Sequence, residues 1–359
     1  MAGATHPGSL PASRIPDSRD APPLRWGIMG PGWIAGKFTE SLQASTRQVI
    51  AAVGSRSLDR SKDFAERYGV PAAYGSYEEL AAAPDVDIVY VCTPHNFHHQ
   101  AALLAIAAGK HVLVEKPLAI NADQARDIAR QGRTAGILAA EAIWTFFLPK
   151  FDVIRQILSA GTLGTVTTVL AEYGEHFDRS HRIFDPDLAG GPLLDLGTYP
   201  LALITEILGA PGVLHAVGQP HESGVNAQLS AVMQFPDGAQ AVANTHLHNF
   251  TPTVATIVGT EATLVIDGPF NMPGGFEVRF PDGTTLRYEE PAAGHLEGLH
   301  YEAAAVARAI AAGRTEVSER PLEASVRTLA VADEIRRQLA IAFPGEAAPP
   351  TTPATEEQA

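Results

Sequence analysis

The sequence is poor in cysteine, in basic residues and in long apolar runs, and each shortage excludes a class of protein. Its single cysteine, Cys92, cannot form a disulfide within the chain, which favours a reducing compartment and predicts a cytoplasmic protein. Lysine and arginine number 26 against 40 acidic residues, a formal net charge of -14, so we expect no nucleic-acid partner. No apolar run approaches the roughly 20 residues of a membrane-spanning helix, so we expect no membrane partner.

The length and the two ends of the chain indicate the domain organisation. At 359 residues the chain is long enough for two domains, each with its own core. Residues 1–23 and 344–359 are rich in small residues and proline and lack the apolar core of a signal peptide. We therefore predict disordered tails at both ends, a first domain over residues 24–142 and a second over residues 143–343.

The first half alternates short apolar runs with helical patterns. Runs such as LRWGIMG, QVIAAVGS, VDIVYVCTP and HVLVEKP have the composition of buried strands, and HHQAALLAIAAGK fits a helix ending in Gly-Lys. This alternation predicts a doubly wound parallel sheet of the α/β class. In such a sheet, ligands bind at the carboxyl ends of the strands.

The second half consists mainly of strand patterns. TVTTVLAEYG, QLSAVMQF, QAVANTHLH, TVATIVGT, ATLVIDG and FEVRF follow one another with few helical stretches between them, and FPDG occurs twice as a predicted hairpin turn. We predict an α+β domain with a large, mostly antiparallel open sheet, an inserted helix near Asp195 and two closing helices.

A glycine-rich loop follows the first predicted strand. Gly30, Gly32 and Ala35 have the G-x-G-x-x-A spacing between a strand and a helix, with Trp33 and Ile34 inside the motif. Gly30 would allow the tight turn and Gly32 the close approach of a pyrophosphate, whose charge a helix amino terminus favours. The alternative is an ordinary glycine turn. The loop predicts a dinucleotide-binding site.

The end of the second strand favours NADP over NAD. An NAD enzyme places an acidic residue about 20 residues beyond the fingerprint, whereas this chain has Ser55 and Arg56 there. An arginine pairs with a 2′-phosphate that a carboxylate would repel. We expect Arg60 as a second contact. The alternative for Arg56 is a solvated loop charge.

Two further stretches carry unusual residues. Glu115 and Lys116 end the apolar run VLVEKPLA, where a buried strand would exclude charge, so they are predicted at the mouth of a crevice. Asp195 and Tyr199 lie four residues apart in GGPLLDLGTYP and would share one face of a helix. The alternative for this pair is a capping aspartate and a packed tyrosine.

The glycine-rich loop, the EKP stretch and GGPLLDLGTYP together resemble motifs of the Gfo/Idh/MocA family of nicotinamide oxidoreductases. The resemblance covers about residues 24–343. Within that family, SRSLDR, EAIWTFFLP, GTEATLVIDGPF and YEAAAVARAI are most similar to the dimeric dihydrodiol dehydrogenases, also known as NADP-dependent D-xylose dehydrogenases. The resemblance implies a Rossmann domain that binds NADP and a carboxyl-terminal domain that binds substrate and forms the oligomer.

The resemblance also implies roles for individual residues. Lys116 would hydrogen-bond the substrate hydroxyl beside the nicotinamide, and Tyr199 would be the general acid/base, completed by Asp195. Glu115 would help to fix Lys116, and the bond between Lys116 and Pro117 is expected to be cis. We also expect the Lys116 ammonium to lower the pKa of the Tyr199 phenol.

Several other residues are expected near the cofactor or the substrate. The expected cofactor contacts include Thr93, Pro94 and His98, and the expected substrate contacts include Trp144, Phe146 and Arg182. Phe146 stands where the dihydrodiol-type subgroup usually has arginine, which leaves the exact substrate open. The alternative for His95, His98 and His99, a zinc site, lacks a cysteine or carboxylate cluster, so we expect no metal.

The sequence therefore predicts an NADP(H)-dependent oxidoreductase acting on a carbinol or carbonyl carbon of a sugar such as D-xylose or of a cyclic trans-diol. Two alternatives remain open: a dinucleotide-binding sensor that does no chemistry, and a glucose–fructose-type oxidoreductase with a tightly held cofactor. The open sheet predicts a homodimer or homotetramer.

Overall fold

The first domain is a six-stranded sheet in which every paired strand is parallel. A computed structural model describes residues 7–290, 297–344 and 346. The strands are β1 (Arg25–Met29), β2 (Val49–Gly54), β3 (Ala72–Tyr74), β4 (Ile88–Val91), β5 (His111–Glu115) and β6 (Ala139–Ala142). The helices are α1 (Trp33–Ser45), α2 (Leu58–Tyr68), α3 (Tyr77–Ala82), α4 (His98–Ala107) and α5 (Ala122–Ala135).

The strand order β3-β2-β1-β4-β5-β6 is that of a doubly wound Rossmann sheet. The order reverses between β1 and β4, so a crevice opens at the carboxyl ends of these two strands. Local signals fix the helices around it. The Ser57 side chain caps the start of α2, and α2 ends at Gly69, which adopts a left-handed conformation. The predicted α/β class and doubly wound sheet are confirmed.

The second domain is built on an eight-stranded sheet with the order β14-β13-β12-β11-β7-β10-β9-β8. Its strands are β7 (Val166–Gly174), β8 (Val213–Pro220), β9 (Asn226–Gln234), β10 (Gln240–His246), β11 (Ala255–Gly259), β12 (Thr263–Ile266), β13 (Phe276–Arg279) and β14 (Thr285–Tyr288). Its helices are α6 (Pro149–Ser159), α7 (Pro192–Asp195), α8 (Thr198–Leu208), α9 (Leu299–Ala311) and α10 (Leu322–Leu339). All strand pairs are antiparallel except β7 with β10, as the prediction of a mostly antiparallel sheet requires.

Both FPDG segments form the predicted hairpin turns. The first joins β9 to β10 and the second joins β13 to β14. Gly238 and Gly283, the last residues of the two segments, both have φ of 90°, a conformation that glycine adopts without steric cost.

The two faces of the large sheet differ in burial. Helices α8 and α10 pack against one face, and α10 also packs against α5 of the first domain, which ties the two domains together. On the opposite face, alternate apolar side chains remain exposed, among them Val217 at 71% and Val232 at 52%. Among the described residues, no helix has the length and apolar character needed to cross a bilayer.

The amino-terminal segment differs from the predicted disordered tail. Residues 7–23 follow a defined path that includes a 3₁₀ turn at Ser18–Asp20. The guanidinium of Arg14 donates to Asp152 at 2.7 Å, and the Ser18 hydroxyl lies 2.8 Å from the His300 ring. Polar contacts with the second domain therefore hold residues 7–23 in place, although the composition of this segment offers little apolar surface to bury. Residues 1–6 and most of the predicted carboxyl-terminal tail lie outside the described residues.

The Asp195 region also differs in detail from the prediction. Asp195 ends the short helix α7, and Tyr199 lies in the first turn of the separate helix α8. Gly197 lies between them, and a Cβ atom there would meet the Leu193 carbonyl oxygen at 2.7 Å. The close packing of this turn explains the glycine that a continuous helix would disfavour.

Candidate active site

The glycine loop lies at the carboxyl end of β1 and leads into α1. Gly30 has φ of 102°, and a Cβ atom there would meet the Cys92 carbonyl oxygen at 3.0 Å. Gly32 is the N-cap residue of α1 and, having no side chain, forms no side-chain hydrogen bond to the first turn of the helix. The backbone amides at the amino terminus of a helix that follows such a glycine loop suit a dinucleotide pyrophosphate. Cys92 is buried, and burial raises the pKa of its thiol, as expected for a core residue.

Two arginines flank the carboxyl end of β2. Arg56 is exposed and its guanidinium lies 5.6 Å from the centre of the Phe97 ring. Arg60 is also exposed, on the first turn of α2. Both charges act on the Tyr77 phenol. Burial raises the pKa of Tyr77, and the charges of Arg56 and Arg60 oppose that rise. Arg56 and Arg60 therefore lie near one another, and Ser55 between β2 and Arg56 is buried.

The segment after β4 passes beside the Lys116 loop. The two His98 ring nitrogens lie 2.8 Å from the carbonyl oxygens of Pro117 and Thr93. Burial lowers the pKa of His98 to about 4, so the neutral ring donates to one of these oxygens. The Thr93 hydroxyl and the His95 Nδ1 atom are buried with no partner among the described residues. Because buried polar atoms are normally hydrogen-bonded, each of these two atoms has capacity for a further partner.

An ion pair joins the two domains at the end of β5. The Lys116 Nζ atom lies 2.8 Å from Asp195 Oδ1 and 2.9 Å from the Asp195 carbonyl oxygen. The Arg182 guanidinium donates to Asp195 Oδ2 at 3.0 Å. Burial raises the pKa of Asp195, but the charges of Lys116 and Arg182 outweigh burial and hold it well below its usual range. Asp195 therefore stays ionised and orients Lys116.

The Glu115 side chain binds the backbone amide of Lys116. Its Oε2 atom accepts the Lys116 amide at 3.1 Å, and its Oε1 atom accepts the Tyr90 hydroxyl. Burial raises the pKa of Glu115 to about 7, while the Lys116 charge opposes the rise. The Lys116–Pro117 bond is cis, as predicted.

Tyr199 lies beside Lys116, with the Lys116 Nζ atom 5.3 Å from the centre of its ring. The ring is only 8% exposed and lies 5.8 Å from the Tyr173 ring. Burial, followed by the charge of Glu115, raises the pKa of Tyr199 well above its usual value. The expectation of a lowered pKa is therefore wrong for this structure, because loss of solvation outweighs the nearby ammonium.

The structure separates the predicted residues of the WTFF segment from the open crevice. The Phe146 side chain is 1% exposed, with its ring 5.3 Å from Phe151 and 4.7 Å from the Arg320 guanidinium. Phe146 therefore packs in the core and presents no surface to a substrate here. Trp144 is 2% exposed and acts on Tyr199 through a hydrogen bond that lowers the phenol pKa.

The three histidines of the TPHNFHHQ segment do not converge on one point. His99 pairs with Asp127 at 2.8 Å, whereas His98 binds two carbonyl oxygens. Within the described parts of the chain, no group of three or more His, Cys, Asp or Glu side chains is placed to hold a metal ion.

Sequence reasoning missed two buried residues that touch this region. Tyr90 binds Glu115, and Glu141 in β6 accepts the Leu118 amide at 2.9 Å. The sequence does mark both residues, because IVYV and AAEA each place one polar side chain in an otherwise apolar strand.

Comparison with known proteins decides the family. A model described as an oxidoreductase family with an NAD-binding Rossmann fold matches residues 24–141, and the GFO/IDH/MocA C-terminal domain matches residues 151–265. The trans-1,2-dihydrobenzene-1,2-diol dehydrogenases of Bos taurus and Mus musculus are 36% and 37% identical to this chain, covering 89% of it and 98% of each relative. The chain belongs to the Gfo/Idh/MocA oxidoreductase family.

Solved structures share the fold of this Gfo/Idh/MocA protein. KijD10, a 3-ketoreductase from Actinomadura kijaniata in complex with NADP and TDP-benzene, is 28% identical with a TM-score of 0.76, covering 88% of this chain and 97% of that one. Levoglucosan dehydrogenase in complex with NADH and levoglucosan has a TM-score of 0.81 at 19% identity, covering 89% and 97%, and this likeness bears on the fold alone.

Proposed function

We propose that this chain is an NADP(H)-dependent oxidoreductase that transfers a hydride between the cofactor and a carbinol or carbonyl carbon of a sugar or cyclic trans-diol. The observation that carries the proposal is the ion pair between Lys116 and Asp195 beside Tyr199. This set joins the two domains at the carboxyl end of β5, the edge at which a doubly wound sheet binds its ligands. A binding module has no need for an oriented ammonium next to a phenol.

Charge at the end of β2 supports NADP as the cofactor. Ser55 and Arg56 stand where an NAD-binding Rossmann domain places an acidic side chain. Arg56 would pair with the 2′-phosphate by charge-assisted hydrogen bonds, and Arg60 would add a second positive charge. Gly30, Gly32 and the first turn of α1 would hold the pyrophosphate.

The side chains at the crevice have complementary roles in moving a proton. NADP, when bound, supplies the hydride acceptor for alcohol oxidation. Lys116, oriented by Asp195, would hydrogen-bond the substrate oxygen and stabilise the negative charge that develops on it. Burial raises the pKa of Tyr199, so its phenol holds a proton that it would donate to the carbonyl oxygen in reduction, leaving a phenolate. In oxidation the phenol would first lose its proton to water, and the resulting phenolate would accept the proton of the substrate hydroxyl.

The substrate class rests on the relatives and on the polar lining of the site. The curated relatives are named for a cyclic trans-diol, and a solved structure at 28% identity is a 3-ketoreductase. Arg182 reaches Asp195 and would meet a second hydroxyl of a polyol substrate. Trp144 would act through Tyr199, not by direct contact.

The exposed face of the large sheet supports a homodimer or homotetramer. Five apolar side chains there are at least 37% exposed: Leu170, Val213, Val217, Val232 and Val242. A second copy of the chain would cover this apolar row, which water otherwise contacts. We further propose that the protein works in the cytoplasm, on the basis of its single cysteine.

The experiment that tests this function compares single variants in the oxidation of D-xylose and of a cyclic trans-diol with NADP⁺. Lys116→Met and Tyr199→Phe should each lower kcat by about 100-fold or more, because general acid/base and electrostatic stabilisation contribute at least that much. Lys37→Met removes an exposed lysine of α1 and should stay within twofold of the wild type.

The two alternatives predict different results. A silent sensor would bind NADPH but show no turnover in the wild type or in any variant. An enzyme with a tightly held cofactor would be purified with nicotinamide absorbance. Full activity in Lys116→Met would contradict the proposed mechanism.

A further inference from the structure

A chain of buried polar contacts connects the loop that carries Lys116 with the helix that carries Tyr199. We call it the Arg320 network. Its members are polar groups that hydrogen-bond to one another or lie within ion-pair distance inside the protein: the Leu118 amide, Glu141, Ser325, Arg320, Thr328, Thr205 and Glu206. Both ends of this network lie close in sequence to a residue of the proposed active site.

The first end of the network holds the Lys116 loop. The Leu118 amide, two residues after Lys116, donates to Glu141 Oε1 at 2.9 Å. Glu141 is 3% exposed in strand β6, and the Ser325 hydroxyl of helix α10 donates to its Oε2 atom at 2.6 Å. Each carboxylate oxygen thus binds a different part of the chain, so Glu141 fixes the loop against α10.

Arg320 forms the centre of the network and has a side chain with no exposed surface. Its Nε atom lies 3.8 Å from Glu141 Oε2, and its NH1 atom donates to Glu206 Oε2 at 3.0 Å. Its NH2 atom donates to the Thr328 hydroxyl at 2.8 Å. Burial lowers the pKa of Arg320, while the two carboxylates oppose that change, so the guanidinium remains charged.

The second end of the network holds helix α8. The hydroxyls of Thr328 and Thr205 lie 2.7 Å apart, and the Thr205 hydroxyl also lies 2.9 Å from the Leu201 carbonyl oxygen. Thr205 and Glu206 follow Tyr199 by six and seven residues on the same helix. A helix is rigid over this length, so fixing its second half also fixes Tyr199.

Stability alone is a poor explanation for such a network. Replacing a buried ion pair by apolar side chains of similar volume is often neutral or stabilising, because desolvating the charges costs as much as their attraction returns. A directional network does define the relative position of the segments that it joins, and here those segments come from the two domains.

We propose that Glu141, Arg320 and Thr328 are positioning residues that set the distance between Lys116 and Tyr199 for hydride transfer. The proposal rests on the proposed roles of Lys116 and Tyr199. A displacement of about 1 Å in a reacting geometry can cost about 100-fold in rate, so a network remote from the substrate can control turnover without touching it.

The test uses Thr328→Val, which removes the hydroxyl that links Arg320 to Thr205 and keeps the shape of the side chain. Thr39→Val is the matched control, because Thr39 is buried and its hydroxyl has no partner among the described residues. We expect Thr328→Val to lower kcat about 10-fold or more while KM for NADP⁺ stays within twofold. Thr39→Val should change neither value by more than twofold.

A pair of variants at Glu141 separates positioning from simple loss of packing. Glu141→Gln keeps an acceptor for the Leu118 amide and should retain most of kcat, whereas Glu141→Leu removes both contacts and should lose at least as much as Thr328→Val. Because a chain of contacts fails when any link is broken, the double variant Glu141→Leu/Thr328→Val should lose less than the product of the two single effects.

Amide hydrogen exchange gives a readout that does not need turnover. In Thr328→Val, exchange should rise in residues 116–121 and in α8 together, whereas Thr39→Val should leave both segments unchanged. The proposal is overturned if Thr328→Val matches Thr39→Val in kcat or in exchange at residues 116–121. If the wild type turns over no substrate, the proposed function fails, and the exchange result alone decides whether the network couples the two segments.

Discussion

The buried carboxyl of Glu115 should make the stability of this protein depend on pH in a way that one substitution removes. Burial raises its pKa to about 7 in the folded protein, whereas an ordinary glutamate value of about 4.3 applies to the unfolded chain. Between these values the folded state holds the proton and the unfolded state does not. The stabilising contribution is therefore complete below the unfolded pKa and is lost as the pH rises through the folded pKa.

The size of this effect follows from the two pKa values. Integrating the proton difference from pH 5 to pH 8 gives a loss of about 2 to 3 kcal/mol in the free energy of unfolding. Glu115→Gln keeps acceptor and donor groups near Tyr90 and the Lys116 amide but cannot ionise, so it should not show this loss. Relative to the wild type, the variant should gain about 2 to 3 kcal/mol between the two pH values.

Urea unfolding of both proteins at pH 5 and pH 8 measures this difference directly. Other titrating groups contribute equally to both proteins and cancel in the comparison. Glu323→Gln, at an exposed position of α10, is the control and should run parallel to the wild type. If the wild-type and Glu115→Gln free energies also run parallel with pH, the carboxyl of Glu115 is not perturbed by burial and the reasoning is refuted.

Three further predictions concern the cofactor site and the sheet surface. Arg56→Ala should raise KM for NADP⁺ about 10- to 100-fold and leave KM for NAD⁺ unchanged, because it removes charge-assisted bonds to the 2′-phosphate, and initial-rate kinetics with both cofactors would show this. Gly30→Ala should weaken NADPH binding and destabilise the fold by about 1 to 3 kcal/mol, since φ is 102° there; fluorescence titration and thermal unfolding would measure the two effects. Val217→Asp should shift light-scattering mass towards the monomer, because it places a charge on a side chain that is 71% exposed on the apolar sheet face, and an unchanged mass would argue against that interface.

Local chemistry explains why so much of the fold could be predicted from the sequence. Apolar runs separated by helical patterns define parallel strands, and the carboxyl ends of those strands must meet at one edge. That rule alone is enough to place Gly30, Thr93 and Lys116 at the same edge of the sheet. The FPDG turns were equally predictable, because glycine is needed at the positive φ that closes each hairpin.

The features that sequence reasoning missed depend on tertiary contacts. The strands β3, β6, β8 and β14 carry weak sequence patterns, and pairing with neighbouring strands stabilises them. The order of residues 7–23 depends on single contacts such as that of Arg14 with Asp152, which composition cannot show. The raised pKa of Tyr199 follows from its burial, which depends on how two domains pack.

The side-chain direction of Phe146 illustrates the same limit. The position of WTFF in the sequence predicts proximity to the substrate, but the ring turns towards Phe151 and Arg320 in the core. A motif gives the location of a backbone segment, whereas packing decides which side chains face the crevice.

The most direct test of the proposed function is the initial rate of cofactor reduction with D-xylose and a cyclic trans-diol, each measured with NADP⁺ and with NAD⁺. We predict turnover with NADP⁺ that exceeds turnover with NAD⁺ at least about 10-fold, and its loss in Lys116→Met. Equal rates with both cofactors would contradict the role of Arg56. No turnover in a protein that binds NADPH would contradict the proposed substrate class and favour a sensor.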